Sequence, residues 1–352
     1  MNRKVSVRDV AAAAGVSIGT VSRVINDSGY ASQGVRARVR QAASRLGYEP
    51  NLAARHLRSG RSDTIGYLLN HIANPFLASH LGEVERLLQP EGYALLLGTS
   101  ERQARDRELV RFFESRGVDG IIAYPPDDYD DWSASPFAAT RVPTVMLDRE
   151  TGQACDSVMQ DHFSGMKRVM DYLLSQGHRR IALFTLGAGA RSGREKLRGY
   201  RSALEHAGLT FDERLIFMTR SLLDSSREPM QRMLQLDDPP SAIVALGTQL
   251  LSGAIHVIRG AGLEIPRDLS VVGIGTMETL ELMHPPVTTL RYNFQQSANA
   301  AVRLLLERIE GVAPAQARTV VIPWDLVLGA SCAAPVSRSA VRQRGGGAVT
   351  PS

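Results

Sequence analysis

Along the first fifty residues, apolar positions recur at three- and four-residue spacing. Val7, Val10, Ala11 and Ala14 share one face of a segment over 7–14, which stops at Gly15, a residue suited to the left-handed position after a helix. Val16 follows as a buried turn residue. Ser17 can cap a second helix running to about Asn26, with Val21, Val24 and Ile25 facing inward. A third helix is expected over 33–46, striped by Val35, Val39, Ala42, Ala43 and Leu46 and ended by Gly47. Pro50 disfavours helix at Glu49, so LAARHLRSG (52–60) reads as a separate short helical piece.

From Thr64 the pattern changes to short apolar runs that alternate with amphipathic stretches. The runs are TIGYLL (64–69), YALLLG (93–98), GIIAY (120–124), PTVMLD (143–148), RIALF (180–184), SAIVAL (241–246) and SVVGIG (270–275). Helical spacing fills 76–91, 104–116, 163–176, 194–207 and 249–261. Such alternation predicts an α/β class with parallel sheets and crossover helices, and this many strands implies two sheets. The last stretch, 333–352, is rich in Gly, Ser, Arg and Ala without periodicity and is expected to be disordered.

At 352 residues the chain is long enough for two or three domains with buried cores. No run approaches the roughly 20 apolar residues of a membrane helix, and MNRKVSVRDV lacks a secretory apolar stretch, so a cytoplasmic protein without a membrane partner is expected. Two cysteines, Cys155 and Cys332, cannot build a disulfide framework or a cysteine-based zinc site.

The net charge of +5 says little until it is divided. Residues 1–62 hold eleven Lys and Arg against three Asp and Glu, a balance of +8, which leaves −3 on the other 290 residues. A cationic head on a near-neutral body points to nucleic acid or an anionic membrane surface as the head's partner. Helix, glycine turn, then a helix opening on small and hydroxyl residues is the helix-turn-helix pattern. Ile18, Gly19, Ser22 and Arg23, with Asn26 a turn later, fall on the outer face of its second helix.

The strings VRDVAAAAGVSIGTVSRVIN (7–26) and RARVRQAASRLGYEPNLAARHLRSGRS (36–62) closely resemble the DNA-binding head and hinge of LacI/GalR-type transcriptional regulators. The resemblance continues through NPF (74–76), GVDGIIAYPPDD (117–128), VPTVMLD (142–148), GHRRIALF (177–184), GY (199–200), IPRDLSVVGI (265–274) and PPVTTLR (285–291), covering about 5–330. It implies a head over 1–50, a hinge helix and linker over 51–62, and a two-lobed, periplasmic-binding-protein-like body over 63–332. The N-lobe would take about 63–161 and 290–318, the C-lobe about 162–289 and 319–330.

The same resemblance implies roles. Ile18 and Gly19 would read base edges, with Ser22, Arg23 and Asn26 beside them. Val7, Ser17, Thr20, Ser32, Tyr48, Asn51 and Arg55 would complete the DNA-facing set. Leu57 would be the wedge inserted at the operator's central step, with Ala54 beside it. Gly34 and Val35 depart from the polar pair usual at their positions. The expected partners are a double-stranded operator, a second copy of the chain and a small-molecule effector; no metal or cofactor is expected, and no leucine heptad follows Ala333 to build a tetramer.

Around the interlobe cleft the resemblance places Asn74, Phe76, Tyr124, Asp148, Ser192, Lys196, Gly247, Gly275 and Tyr292. Sugar-responsive relatives usually carry Arg where this chain has Lys196, Asn-Asp where it has Gly247-Thr248, and Asp where it has Gly275. Carboxylates and bidentate amides commonly hold sugar hydroxyls. Their loss, with Lys196, Arg191 and Arg194 together, predicts a cleft short of acids and suited to a carboxylate-bearing or otherwise anionic effector, aromatic ones included.

Three other patterns are set aside. Gly187, Gly189 and Gly193 imitate a dinucleotide loop between strand and helix, but an NADP-dependent oxidoreductase would explain neither head nor hinge. A solute-binding protein without DNA activity leaves the first sixty residues unexplained. Asp127, Asp128, Asp130 and Asp131 read as a solvated loop, and His162 and His178 as structural or cleft-adjacent groups.

Overall fold

The computed structural model describes residues 5–48 and 61–336, apart from Asn26, Ser28, Ala73, Gln153, Ala188, 220–225 and 276–282. They form two compact units that divide between Ser62 and Asp63. The head holds α1 (Val7–Ala14), α2 (Ile18–Ile25) and α3 (Gln33–Leu46), within a residue of the expected limits. Asp9 reaches back to the Ser6 N–H at 2.8 Å and starts α1, while Gly15 and Gly47 end α1 and α3 at φ near +60°, a conformation that costs glycine little. Val10, Val21, Val24 and Val39 are buried at the helices' common core.

The body contains two six-stranded sheets. The first comprises β1 (Thr64–Leu69), β2 (Ala94–Thr99), β3 (Gly120–Tyr124), β4 (Thr144–Leu147), β5 (Asp156–Gln160) and β11 (Thr319–Ile322), in the all-parallel order β11-β5-β4-β3-β1-β2. The second comprises β6 (Ile181–Leu186), β7 (Ile216–Thr219), β8 (Ala242–Leu246), β9 (Ser270–Ile274), β10 (Thr288–Tyr292) and β12 (Trp324–Val327), in the order β12-β10-β9-β8-β6-β7. Only β12 runs antiparallel, against β10. Crossover helices cover the sheets: Pro75–Leu88, Gln103–Arg116 and Phe294–Ile309 belong to the first lobe, and His162–Ser175, Arg191–His206, Arg227–Leu234 and Gly247–Gly260 to the second. The near-continuous burial of β1, β3, β4, β8 and β9 follows from having helices on both faces.

The expected lobe limits shift at the end of the chain. β10 lies wholly in the second sheet, so the chain returns to the first lobe after Tyr292 rather than at 290. β11 pairs with β5, so 319–322 belongs to the first lobe and not the second. Edge pairing decides both, and a short run such as TVVI does not announce its sheet. Each passage between lobes takes one residue: Asp161, Asn293 and Pro323. Asp161 accepts from Ser164 N–H (3.0 Å) and Asn293 from Gln296 N–H (2.8 Å), so two of the three passages are also helix caps. The Asp161 N–H donates to Ile322 O at 3.0 Å, binding the first passage to the third.

Ala333 N–H donates to Ser270 Oγ at 3.0 Å, so 333–336, expected as part of a disordered tail, begin against the second lobe. Residues 337–352 lie outside the described residues. The glycine-rich strip at 187–193 has a packing explanation. A Cβ on Gly193 would sit 2.2 Å from Gly187 O, so the helix from Arg191 can abut the preceding turn only with glycine there. No helix among the described residues is long and apolar enough to cross a membrane.

Candidate DNA-reading face and interlobe site

In the head, Ser17 Oγ accepts from Thr20 N–H at 3.2 Å and lies 2.9 Å from Thr20 Oγ1, closing the start of α2. That end exposes Ile18, 45% accessible despite its apolar side chain, and Gly19, where a Cβ would meet only Ser17 Oγ at 3.8 Å. Arg23 lies one turn on, exposed, its Nε donating to Gly19 O at 3.3 Å. Ser22 is half-buried beside it. Ser32 precedes α3 with an exposed side chain that does not cap the helix.

Val7 and Tyr48 differ from this set: both are half-buried and pack on the head's core. Arg36 pairs with Asp27 and donates to Gly29 O (3.1 Å) and Ala31 O (3.2 Å), holding the turn before α3. Asn26, Asn51, Ala54, Arg55 and Leu57 lie outside the described residues.

The body's candidate residues gather where parallel sheets present their strand ends. Tyr124 ends β3, Asp148 follows β4, Gly247 and Gly275 follow β8 and β9, and Tyr292 ends β10. Ser192 and Lys196 lie in the first turns of the helix after β6. Asn74 caps the helix after β1, its Oδ1 accepting from Phe76 N–H at 3.1 Å. Clefts at the carboxyl ends of parallel strands are the usual ligand position in such sheets. Phe76, Tyr124, Asp148 and Tyr292 line one narrow recess, with room for about one water, joined by Leu77, His80, Leu147, Val158, Gln160 and Ser297. Its wall is aromatic: Phe76 stacks on Tyr292 (centroids 5.6 Å apart), and Trp324 lies 5.2 Å from Tyr292 and 6.2 Å from Phe76. His80 bridges behind it, Nδ1 2.8 Å from Tyr67 Oη and Nε2 3.0 Å from Ser297 Oγ. Gly247 and Gly275 do not line the recess.

Asp148, 1% exposed and at φ +51°, is the electrostatic centre. His162 Nε2 lies 2.7 Å from Oδ2, and Arg191 Nη1 (3.0 Å) and Gln160 N–H (3.2 Å) donate to Oδ1. Burial pushes this carboxyl up, but His162, Arg149 and Arg191 outweigh burial and hold it at about 2. Burial lowers His162 to about 4, so it is neutral at pH 7. Arg149 stacks over Tyr124 at 4.4 Å and donates to the carbonyls of Asp148, Pro125 and Pro126.

The expected supply of free cations is therefore smaller than the sequence implied. Arg191 is spent on Asp148 and Arg194 on Asp128 and Glu150, at 3.0 and 3.1 Å. Asp128 also accepts from the Arg191 N–H at 2.6 Å, which makes it a link between lobes and not part of a solvated loop. Lys196 remains: it is 2% exposed, among the described residues its Nζ donates only to Ser192 O (3.2 Å), and burial lowers it to about 7. His80, Gln160 and Trp324 were absent from the expected set. Their positions come from packing between segments far apart in the chain, which no local motif records.

Residues 6–51 match the model of bacterial regulatory proteins of the lacI family, and 170–332 match a periplasmic binding protein-like domain. The HTH-type transcriptional regulator DegA of Bacillus subtilis is 32% identical over 330 residues, spanning 92% of this chain and 97% of that protein. The ribose operon repressor of Escherichia coli is 30% identical, spanning 86% and 93%. A lac repressor dimer bound to operator and the anti-inducer ONPF superposes with a TM-score of 0.85 at 27% identity, covering 94% of this chain and 100% of that one. These relatives regulate transcription and are not enzymes. A lacI-type head and a two-lobed effector-binding body occur here in one chain, which belongs to the LacI family of DNA-binding transcriptional regulators.

Proposed function

We propose that the chain represses transcription as a homodimer on an approximately palindromic operator, each head in a major-groove half-site and the two hinges meeting at the centre. The open end of α2 at Ile18 and Gly19, with Arg23 beside it, carries this reading, because a short-sided helix start flanked by a cation suits contact with base edges. Ser17, Thr20, Ser22 and Ser32 supply hydroxyls to neighbouring bases and phosphates, and Asn26, Asn51 and Arg55 extend the footprint. Leu57 wedges into the minor groove with Ala54 beside it. A nine-residue helix over 51–59 is unstable alone, so its folding is coupled to DNA and to the partner hinge.

A small anionic effector in the interlobe cleft controls that equilibrium by changing the angle between lobes. The buried Lys196, which has no carboxylate in hydrogen-bond contact among the described residues, favours an anion over a neutral sugar. Genome-wide mapping of bound sites tests the operator reading, with a palindromic motif beside regulated promoters expected and its absence contrary. Thermal-shift screening of the full chain against sugars and organic acids tests the effector class; stabilisation by neutral sugars alone would overturn it.

A further inference from the structure

The helix Arg191–His206 of the second lobe begins without a cap of its own. Its N-cap residue is Ala190, whose side chain has no acceptor to offer the first amides. The acceptor comes from the first lobe instead. Asp128 Oδ2 accepts from the Arg191 N–H at 2.6 Å and from Arg194 Nη2 at 3.0 Å, and Arg194 also reaches Glu150 Oε2 at 3.1 Å. A carboxylate placed there meets an amide that the helix leaves unsatisfied and faces the positive end of the helix dipole.

The segment that carries this carboxylate is braced within its own lobe. Buried Arg149 donates to Pro125 O (2.6 Å) and Pro126 O (3.0 Å), Gln103 Nε2 to Asp128 O (2.8 Å), and the Glu150 N–H to Asp128 Oδ1 (3.0 Å). The neighbouring Tyr129 donates to Asp106. A loop held at this many points does not follow the helix when the lobes part, so opening leaves the first turn of that helix uncapped.

Resting on the reading above that lobe angle governs operator binding, we propose that Asp128 is a latch between the lobes: it caps a helix of the second lobe from the first, biases the body towards closure and thereby sets operator affinity. Arg191 adds to the hold, its Nη1 donating across the cleft to Asp148 Oδ1 (3.0 Å) and Gln160 O (2.9 Å). Losing a helix cap shifts an equilibrium about two- to thirtyfold, which is enough to change which lobe arrangement dominates.

Trp324 supplies the readout, since its indole in the second lobe contacts Phe76 of the first with ring centres 6.2 Å apart, and the chain's other tryptophan is Trp132. In full-length Trp132→Phe protein, Asp128→Ala is expected to shift Trp324 emission to the red as Phe76 withdraws from the indole. Hydrogen–deuterium exchange over 190–197 should be faster by about two- to thirtyfold. Adding Ala190→Ser separates a latch from a local cap. A serine on that extended backbone (φ −108°, ψ 140°) caps the helix from within its own lobe, so exchange returns towards the parent rate while emission stays shifted.

Asp128→Asn and Arg194→Met weaken the contact from either side and should move emission the same way by less; they decide the matter alone if circular dichroism shows Asp128→Ala unfolded. Arg105→Ala, at an exposed pair with Glu108 inside the first lobe, should move neither signal. Emission unchanged in every folded contact variant, emission restored by Ala190→Ser, or an equal shift from Arg105→Ala overturns the latch. Operator affinity is then measured on the sequence recovered by site mapping. Lobes that open without any change in operator affinity overturn the link to DNA, whereas a parent chain that binds no operator overturns the regulator reading.

Discussion

Head and body treat charge in opposite ways. In the head, Arg8, Arg23, Arg38, Arg40 and Arg45 are exposed, and Asp27 pairs with Arg36 and Arg40. In the body, charge is folded inward and matched. Asp148 holds Arg191, Asp128 holds Arg194, and the fully buried Asp156 accepts from both Arg308 (2.8 Å) and Arg318 (2.7 Å). A surface left cationic is useful only against a polyanion, whereas matched internal charge fixes geometry. The same residue type thus serves reach in one unit and registration in the other.

Salt breaks this contrast most directly. Operator affinity should fall by roughly three orders of magnitude between about 50 and 200 mM salt if six or more phosphates are neutralised, while the thermal midpoint of the body changes little. A fluorescence-anisotropy series measures the first and calorimetry the second; a flat binding curve would contradict the head's role. Next in size, Leu57→Ala should weaken operator binding roughly 10- to 100-fold by removing the wedge. Dimerisation, followed by sedimentation, should be unaffected.

Asp148→Asn should destabilise the body by about 3–5 kcal/mol, the usual cost of leaving a buried partner charge uncompensated. Denaturant melts of mutant and parent decide this. The parent's pH profile follows from the same site. Asp148, lowered to about 2, contributes stability that is present above about pH 4 and lost as pH falls towards 2. His80 and His162, both lowered by burial to about 4, are neutral when folded yet take up protons near 6.5 when unfolded, so stability also declines as pH drops from 6.5 to 4. Asp148→Asn should flatten the most acidic limb and, by removing the carboxylate that favours protonated His162, extend the histidine limb to lower pH. At the small end, Arg86→Ala, which breaks an exposed pair with Glu83, should cost under about 0.5 kcal/mol.

The sequence disclosed the head almost completely, because three amphipathic helices, two glycine stops and a capping serine are local signals. It disclosed most of the buried strands for the same reason, since GIIAY or SAIVAL has no other use than a covered sheet, but it missed TTLRY, the buried β10. It did not disclose β7, β11 or β12, which are four-residue edge strands with exposed positions such as Met218, Val321 and Val327. DSVMQ escaped notice because its first residue is an acid, and Asp156 makes sense only once Arg308 and Arg318 arrive from 150 residues away. The cleft divides likewise. Phe76, Tyr124, Asp148 and Tyr292 were expected, but the neutralisation of Asp148 and the packing of Trp324 against Phe76 and Tyr292 arise where separate segments meet.

The single-residue passages at Asp161, Asn293 and Pro323 have a consequence for how the body can be divided. No single scission of the chain separates one lobe from the other, because each lobe is assembled from pieces that the other interrupts. A chain cut short before Thr319 would strip an outer strand from both sheets together, β11 from one and β12 from the other. The lobes must therefore be completed jointly, and a lesion in the last thirty residues of the body would be felt on both sides of the cleft.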